Sequence, residues 1–498
     1  MISRKIAAVA LSIFMAFAAC ACKGGTNSDS TDISSESSES SVVSETSSDN
    51  SSEPESPPSA VALQYAEQSD EIGKFYKEIS EKKDFPAINI TTLDSARISS
   101  KTKYVDSVID VFNCDESYTL SAEGGVKVRG NSSADQGSEK PYRIKFNKKQ
   151  NMLGLHDGNE YKSWVLLRSC WNLAPDYMGF SLAREIFEGK YYSSDCAYVN
   201  LYINRQSKGV YLLCEQNQAG EGRVDVTEPK SGEAPDEIGY LLEMDNYPDG
   251  EEHPFFTVDH NIRPFTDISG QKRSFLTKNY TIRSDTTTKA QRDFIKKYVE
   301  NVFKILFEAS DGNLLMMNDN YELVSASGVY STPKEAVSAV IDTESLANMI
   351  ILEELVQNYD VGEGSFYLAV DFSDDSIYPK LTFLAPWDFN WGYTENPSGG
   401  YYASTFQKKA NNIDRSNTWY ITAMKQEWFS DIVKAKWAEL MERNALTNVT
   451  KAVREHTATL AGDLDKDSQR TKKAADLCDY VNKRIKWLDA QWRTTTEQ

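Results

Sequence analysis

Residues 358–390 read NYDVGEGSFYLAVDFSDDSIYPKLTFLAPWDFN. Two apolar and aromatic runs, Ser365–Val370 and Lys380–Ala385, flank the polar segment Asp371–Tyr378. Runs of this kind on either side of a turn form a β-hairpin, with paired strands about 5 Å apart. The open end of that hairpin carries Asp360 and Ser365 on one side and Asp388 on the other. The pairing thus brings together two carboxylates that lie 28 positions apart in sequence. Two carboxylates in a cleft can hold a metal ion, or one can act as base while the other binds metal. The competing reading of the same spacing is that Asp360 caps a helix and Asp388 caps a turn.

Working outward, Thr343–Val356 reads as the helix that delivers Asp360. Lys289–Glu308 repeats Phe294, Val299, Val302, Phe303 and Leu306 at helical spacing, and Glu427–Glu442 and Lys472–Trp492 are further helices. Residues 311–340 and 394–415 read as loops. Upstream, residues 86–230 are rich in short strands: Val126–Arg129, Tyr142–Phe146, Trp164–Leu167, Tyr198–Ile203 and Gly209–Cys214, the last two joined by a loop over Asn204–Lys208. One helix, Asp176–Phe187, interrupts them, and ALQYAEQSDEIGKFYKEISEK (62–82) is a helix leading in. The segment from Arg129 to Phe146 is a second candidate site. Tyr142, Ile144 and Phe146 share one strand face, and Lys140 has the same parity. A lysine on an apolar face needs an anion: a ligand phosphate, or a helix carboxylate such as Glu185. The polar turn after Arg129 has amides suited to an anion. The competing reading leaves Lys140 in a solvated loop.

The whole chain has 498 residues, enough for one large or two medium domains. Lys+Arg number 54 and Asp+Glu 74, for a net charge of −20. That balance argues against a nucleic-acid partner, since phosphates are repelled. Residues 1–22 read as a lipoprotein signal peptide: Arg4 and Lys5, then the apolar run Ile6–Ala19, too short to span a bilayer, then Cys20 and Cys22 as alternative lipidation sites. Residues 23–60, nearly all Ser, Glu, Asp, Thr and Pro, read as a disordered tether. The expected location is the outer face of a bacterial membrane, with the lipid anchor as the only membrane contact. The remaining cysteines, Cys114, Cys170, Cys196, Cys214 and Cys478, show no metal spacing and read as buried thiols with room for one or two bridges.

Taken in order, RGNSS (129–133), KPYRIKF (140–146), the Trp164–Leu167 strand, VNLYINRQSKGVYLLCEQ (199–216), GYLLEMD (239–245), NYD (358–360), SFYL (365–368) and APWDF (385–389) resemble the CotH kinase family, the atypical protein kinases related to spore coat protein H. The resemblance implies an α+β, divergent two-lobed kinase-like fold. Residues 61–235 would form a β-rich N-lobe and residues 236–498 a mostly helical C-lobe with the catalytic hairpin. It also implies transfer of the ATP γ-phosphate to Ser or Thr of a protein, with magnesium. By matching position, Lys140 looks like the phosphate-contacting lysine and Glu185 like its helix partner. Arg129 joins them in the ATP site, and Val210–Glu215 looks like the strand beside adenine, ending at Glu215. Asp360 looks like the base and Asp388 like the metal ligand, with Ser365 and Asn390 completing the metal site. The chain departs from the family pattern at Ser365, where many members have Asn, at Asn390, where Asp is usual, and at Gly179, where many have Arg. These departures, and the scarcity of ATP outside cells, support an alternative: a catalytically weakened surface module that binds proteins or wall polymers. A carbohydrate-active enzyme with Asp360 and Asp388 as its acid and base is a third reading.

Overall fold

Ser59 Oγ accepts the N–H of Ala62 at 3.2 Å and so caps the first helix, α1 (Ala60–Glu67). The computed structural model describes residues 57–82, 85–130, 134, 140–168, 173–230, 232–248, 253–286, 288–407, 415–460, 462 and 470–493. The expected leader, Cys20 and Cys22, and the expected tether up to residue 56 lie outside the described residues. The single lead-in helix expected over 62–82 is two: the chain breaks at Gln68, and α2 (Ser69–Lys82) follows. Phe75 and Tyr76 of α2 pack on Phe112 and Tyr202. No helix among the described residues is long and apolar enough to cross a membrane.

Seven strands follow: β1 (Ala87–Thr92), β2 (Val105–Phe112), β3 (Leu120–Val128), β4 (Tyr142–Gln150), β5 (Tyr161–Leu167), β6 (Cys196–Ile203) and β7 (Gln206–Glu215). They close into a barrel in the order β1-β2-β3-β4-β5-β7-β6. Closure depends on β1 pairing parallel to β6, with Ala87 opposite Asn200. Alternation fills the interior as it must in a small barrel: Tyr142, Ile144 and Phe146 of β4 point in with Val126, Trp164, Leu166 and Leu213. The opposite parity of β5–β7–β6 packs under α3 (Ala174–Phe187), so that Val165, Leu212 and Tyr198 join Met178 and Leu182 in the main core. The β6–β7 connection is tighter than the five-residue loop expected. Ile203 pairs directly with Gln206, and Asn204 and Arg205 turn the chain at φ 49° and 64°.

The second half is not mainly helical. Strands β8 (Gly239–Met244), β9 (Phe255–Asp259), β12 (Thr277–Ile282), β15 (Phe366–Asp371) and β16 (Thr382–Leu384) form an antiparallel sheet in the order β16-β15-β8-β12-β9. Two short hairpins, β10–β11 (Phe265–Thr266, Lys272–Arg273) and β13–β14 (Leu315–Met317, Leu323–Ser325), interrupt the series. The helices are α4 (Lys289–Ala309), α5 (Pro333–Ser338), α6 (Thr343–Val356), α7 (Thr418–Met424), α8 (Glu427–Glu442), α9 (Ala445–Thr459) and α10 (Arg470–Trp492). The segment 311–340, expected as loop, holds β13, β14 and α5.

The two-lobed kinase-like fold expected above is therefore corrected. The β-rich part closes into a barrel, and a five-stranded sheet runs through what was to be a mostly helical lobe. One core joins α3 and the outer face of β5 and β7 to β8, β15 and α6, and Pro58–Gln498 forms one compact unit. The physical reason is range. Local alternation identifies strands, but closure is a pairing across more than a hundred residues that no local pattern encodes.

Candidate active site

α6 is buried along nearly its whole length and stops where Gln357 turns left-handed at φ 52°. Asn358 Oδ1 then accepts the N–H of Asp360 at 3.0 Å, and Asp360–Gly362 makes one 3₁₀ turn. The turn is fixed from outside. Asn417 Nδ2 donates to the Val361 carbonyl at 2.8 Å, and Lys278 Nζ donates to that of Gly362 at 2.5 Å. Ser365, at φ 54°, donates its Oγ to Asp360 Oδ2 at 3.1 Å. β15 then leaves the turn and pairs with β16 as expected, Tyr367 opposite Leu384 and Ala369 opposite Thr382.

β16 returns the chain to Asp388. Ala385 is held by two bonds, its N–H to the Tyr192 carbonyl at 2.9 Å and its carbonyl to Asn217 Nδ2 at 2.7 Å. Asn358 Nδ2 donates to the Asp388 carbonyl at 3.2 Å, tying the two ends of the hairpin together. Asn390 Nδ2 donates to Asp388 Oδ1. Gln357, Ser365, Ala385, Asp388 and Tyr393 all have φ between 52° and 60°. Left-handed non-glycine backbone costs about 1–2 kcal/mol per residue and gathers where function holds it.

The electrostatics are those of crowded carboxylates. Burial, then Asp360 and Glu243, push Asp388 up to about 6, against Arg129 and the Asn390 bond, which pull it down. Burial chiefly, with Asp245, raises Asp360, opposed by Ser365 and Arg415. A third carboxyl lies behind them. Asp176, in the first turn of α3, accepts the Phe389 N–H at 3.0 Å, and burial followed by Asp388 pushes it up to about 8. Glu243 and Asp245 on and after β8 share Arg283, at 2.6 and 3.0 Å. Arg129, half-buried at the end of β3, lies over the Trp387 ring at 5.5 Å. Its N–H donates to the Pro141 carbonyl at 3.1 Å, which places it beside Lys140.

Of the residues singled out from sequence, the structure groups Asp360, Ser365, Asp388, Asn390 and Arg129. Lys140 Nζ donates to the Ala134 carbonyl at 2.7 Å. Glu185 is not its partner: Glu185 bonds Arg443 at 2.9 Å, on the far side of α3. Glu215, at the end of β7, is fully buried. It accepts the Asp195 N–H at 2.9 Å and meets His156 Nδ1 at 2.8 Å, with Arg223 at 3.8 Å. That is an anchoring role for the barrel rim. Sequence reading passed over Asp176, Glu243, Asp245 and Arg283. The available signal was an acid inside a buried apolar run, as in GYLLEMD.

Gly179 explains one departure from the family pattern. A Cβ there would meet the Phe389 ring at 2.2 Å, so the absent side chain is the space in which Phe389 docks. Gly179→Ala is expected to destabilise by about 1–3 kcal/mol, reversing the usual gain from Gly→Ala in a helix. Urea unfolding checks the sign; a more stable variant would mean that Phe389 does not dock there.

The raised carboxyls also set a pH dependence. Both ionise less readily in the fold than in the unfolded chain, whose carboxyls titrate near 3.8. Their stabilising contribution is complete below that pH. It is lost as pH rises toward 6 for Asp388 and toward 8 for Asp176. Asp176→Asn keeps an acceptor for Phe389 and is expected to recover of order 2 kcal/mol of the loss between pH 4.5 and 8. An unchanged slope of unfolding free energy against pH would contradict this.

The site is a strained, acidic pair of turns with Arg129 and Arg415 among its electrostatic neighbours. The donors fit magnesium, being oxygens throughout, although no cluster of three or more acidic, His or Cys ligands is found among the described residues. The family described as CotH kinase protein matches residues 126–492, and the chain belongs to it. No curated protein matches the chain.

Proposed function

We propose that the chain is an atypical protein kinase that transfers the ATP γ-phosphate to Ser or Thr of secreted or surface proteins. In this reading it is anchored through lipid on Cys20 or Cys22. Family membership supports the activity. The observation that carries the residue roles is the tie between the Asp360 turn and the Asp388 turn through Asn358. Phosphoryl transfer needs positioning and charge neutralisation more than covalent chemistry. Asp360 accepts the acceptor hydroxyl's proton, and Ser365 orients its carboxylate. Arg129 and Lys140, adjacent where the β3–β4 connection leaves its strands, hold phosphate oxygens. Asp388, with Asn390 and Ser365, would hold magnesium, which would supply neutralisation of phosphate charge. Asp176 steadies the Asp388 turn from behind. The net charge of −20 disfavours a nucleic-acid partner.

A second reading has one specific support. Ser365 Oγ and Asn390 Nδ2 are both already bonded to the site's own carboxylates. That arrangement suits a weakened surface module that binds proteins or wall polymers without transfer. Incubation of the full chain with γ-labelled ATP, magnesium and dephosphorylated casein separates the two. Metal-dependent label on Ser or Thr is expected. ATP binding without any label, in casein or in the chain itself, would favour the binding module.

A further inference from the structure

β6 and β7 place two thiols directly opposite each other: Cys196 pairs in register with Cys214. Backbone direction identifies the kind of pair. The Asn200 N–H donates to the Pro86 carbonyl, on the β1 side of β6. Amides alternate sides along a strand, so Cys196, four residues earlier, also turns its amide away from β7. Cys196 and Cys214 are therefore a non-hydrogen-bonded pair, the kind whose α-carbons approach to about 4.5 Å with side chains on one face. A disulfide accepts Cα separations of about 4.4–6.8 Å. Both side chains lie on the outer face of the barrel under α3, beside Tyr198 and Leu212. Cys214 is buried and Cys196 partly exposed, and both are free thiols in the structure.

We propose that Cys196 and Cys214 are a modification site, closing to a cross-strand disulfide when a low-molecular-weight disulfide is present. With glutathione disulfide the chemistry balances in two exchanges. The Cys196 thiolate attacks one glutathione sulfur, the glutathione S–S bond breaks, and one glutathione leaves. The Cys214 thiolate then attacks Cys196 Sγ, the mixed disulfide breaks, and the second glutathione leaves. The two cysteine protons end on the two glutathione thiols, and glutathione disulfide takes up the two electrons. Cys196, the partly exposed member, is the entry point, and Cys214 resolves the adduct. Burial raises both thiols, so the exchange is slow at neutral pH. The bond fixes the strand pair on which α3 rests. α3 in turn carries Asp176, which holds the Phe389 N–H.

The test treats the full chain with graded ratios of glutathione disulfide to glutathione. The sample is quenched with acid, unfolded, alkylated with N-ethylmaleimide, digested and mapped by mass spectrometry. The expected product is a linked peptide pair joining Cys196 to Cys214, lighter by two hydrogen atoms than the two reduced peptides. Cys214→Ser is expected to stop at a stable glutathione adduct on Cys196. Both cysteines carrying the alkyl label at every ratio would overturn the proposal, as would a link from Cys196 to any other cysteine. The wild-type map decides the matter by itself should the variant fail to fold.

Discussion

Asp360→Asn is expected to lower phosphoryl transfer by about 10²–10⁴-fold, the range lost with a positioned general base, and to leave Tm unchanged or higher. The two halves of that expectation have separate causes. Activity falls because an amide cannot take the acceptor's proton, although its oxygen still receives the Ser365 hydroxyl now bonded to Asp360 at 3.1 Å. Stability holds because the carboxylate is raised chiefly by burial and also by Asp245, and it raises Asp388 in turn. Removing one negative charge from that group relieves repulsion, offset in part by the loss of Arg415's attraction. A variant within about threefold of wild-type activity would remove Asp360 from the role of base. A large fall in Tm would show that its work is structural.

The largest stability effect is expected at Arg484 of α10. It is fully buried and makes four bonds: Nη2 to Glu354 Oε2 and Nε to the Glu354 carbonyl, both at 2.6 Å, with Nη1 on the carbonyls of Gly400 and Pro397 at 2.8 and 3.2 Å. Glu354 completes the joint by accepting the N–H groups of Tyr402 and Ser404. The adjacent Glu353 is also fully buried, with no hydrogen-bond partner on either carboxyl oxygen among the described residues. Burial holds that carboxyl well above its usual range. Arg484→Met would leave Glu354 charged, buried and beside a second acid. Breaking such a pair costs about 3–5 kcal/mol. Arg484→Met combined with Glu354→Gln should recover part of the loss, since the uncompensated charge is gone. Denaturant unfolding measures both; a single-variant cost below about 1 kcal/mol would contradict this reading of the joint.

Legibility in the sequence followed the range of the interaction. α6 and α8 have the ends that helical periodicity predicts, Thr343–Val356 and Glu427–Glu442. The β15–β16 hairpin and the approach of Asp360 to Asp388 were legible because one turn joins the two strands. Barrel closure was not legible, because Ala87 and Asn200, which pair in it, lie more than a hundred positions apart in sequence. β8, β9 and β12 were missed as a sheet because β8 pairs with β12 across intervening strands and, more than a hundred residues further on, with β15. Charge type misled at α3. Glu185 looked like a partner for Lys140, but Asp176 and Glu185 are nine residues apart, about 13 Å along the helix and roughly half a turn around it. Only Asp176 faces the site; Glu185 meets Arg443.

The Asp360–Asp388 turn pair is proposed to form a working nucleotide and metal site. The most direct measurement is thermal unfolding of the full chain with ATP, with magnesium, and with both, alongside Asp388→Asn. Ligand that binds only the native state raises Tm by mass action. A rise that needs ATP and magnesium together, and that vanishes in Asp388→Asn, is predicted. No rise at millimolar ligand, or an equal rise in the variant, would contradict it.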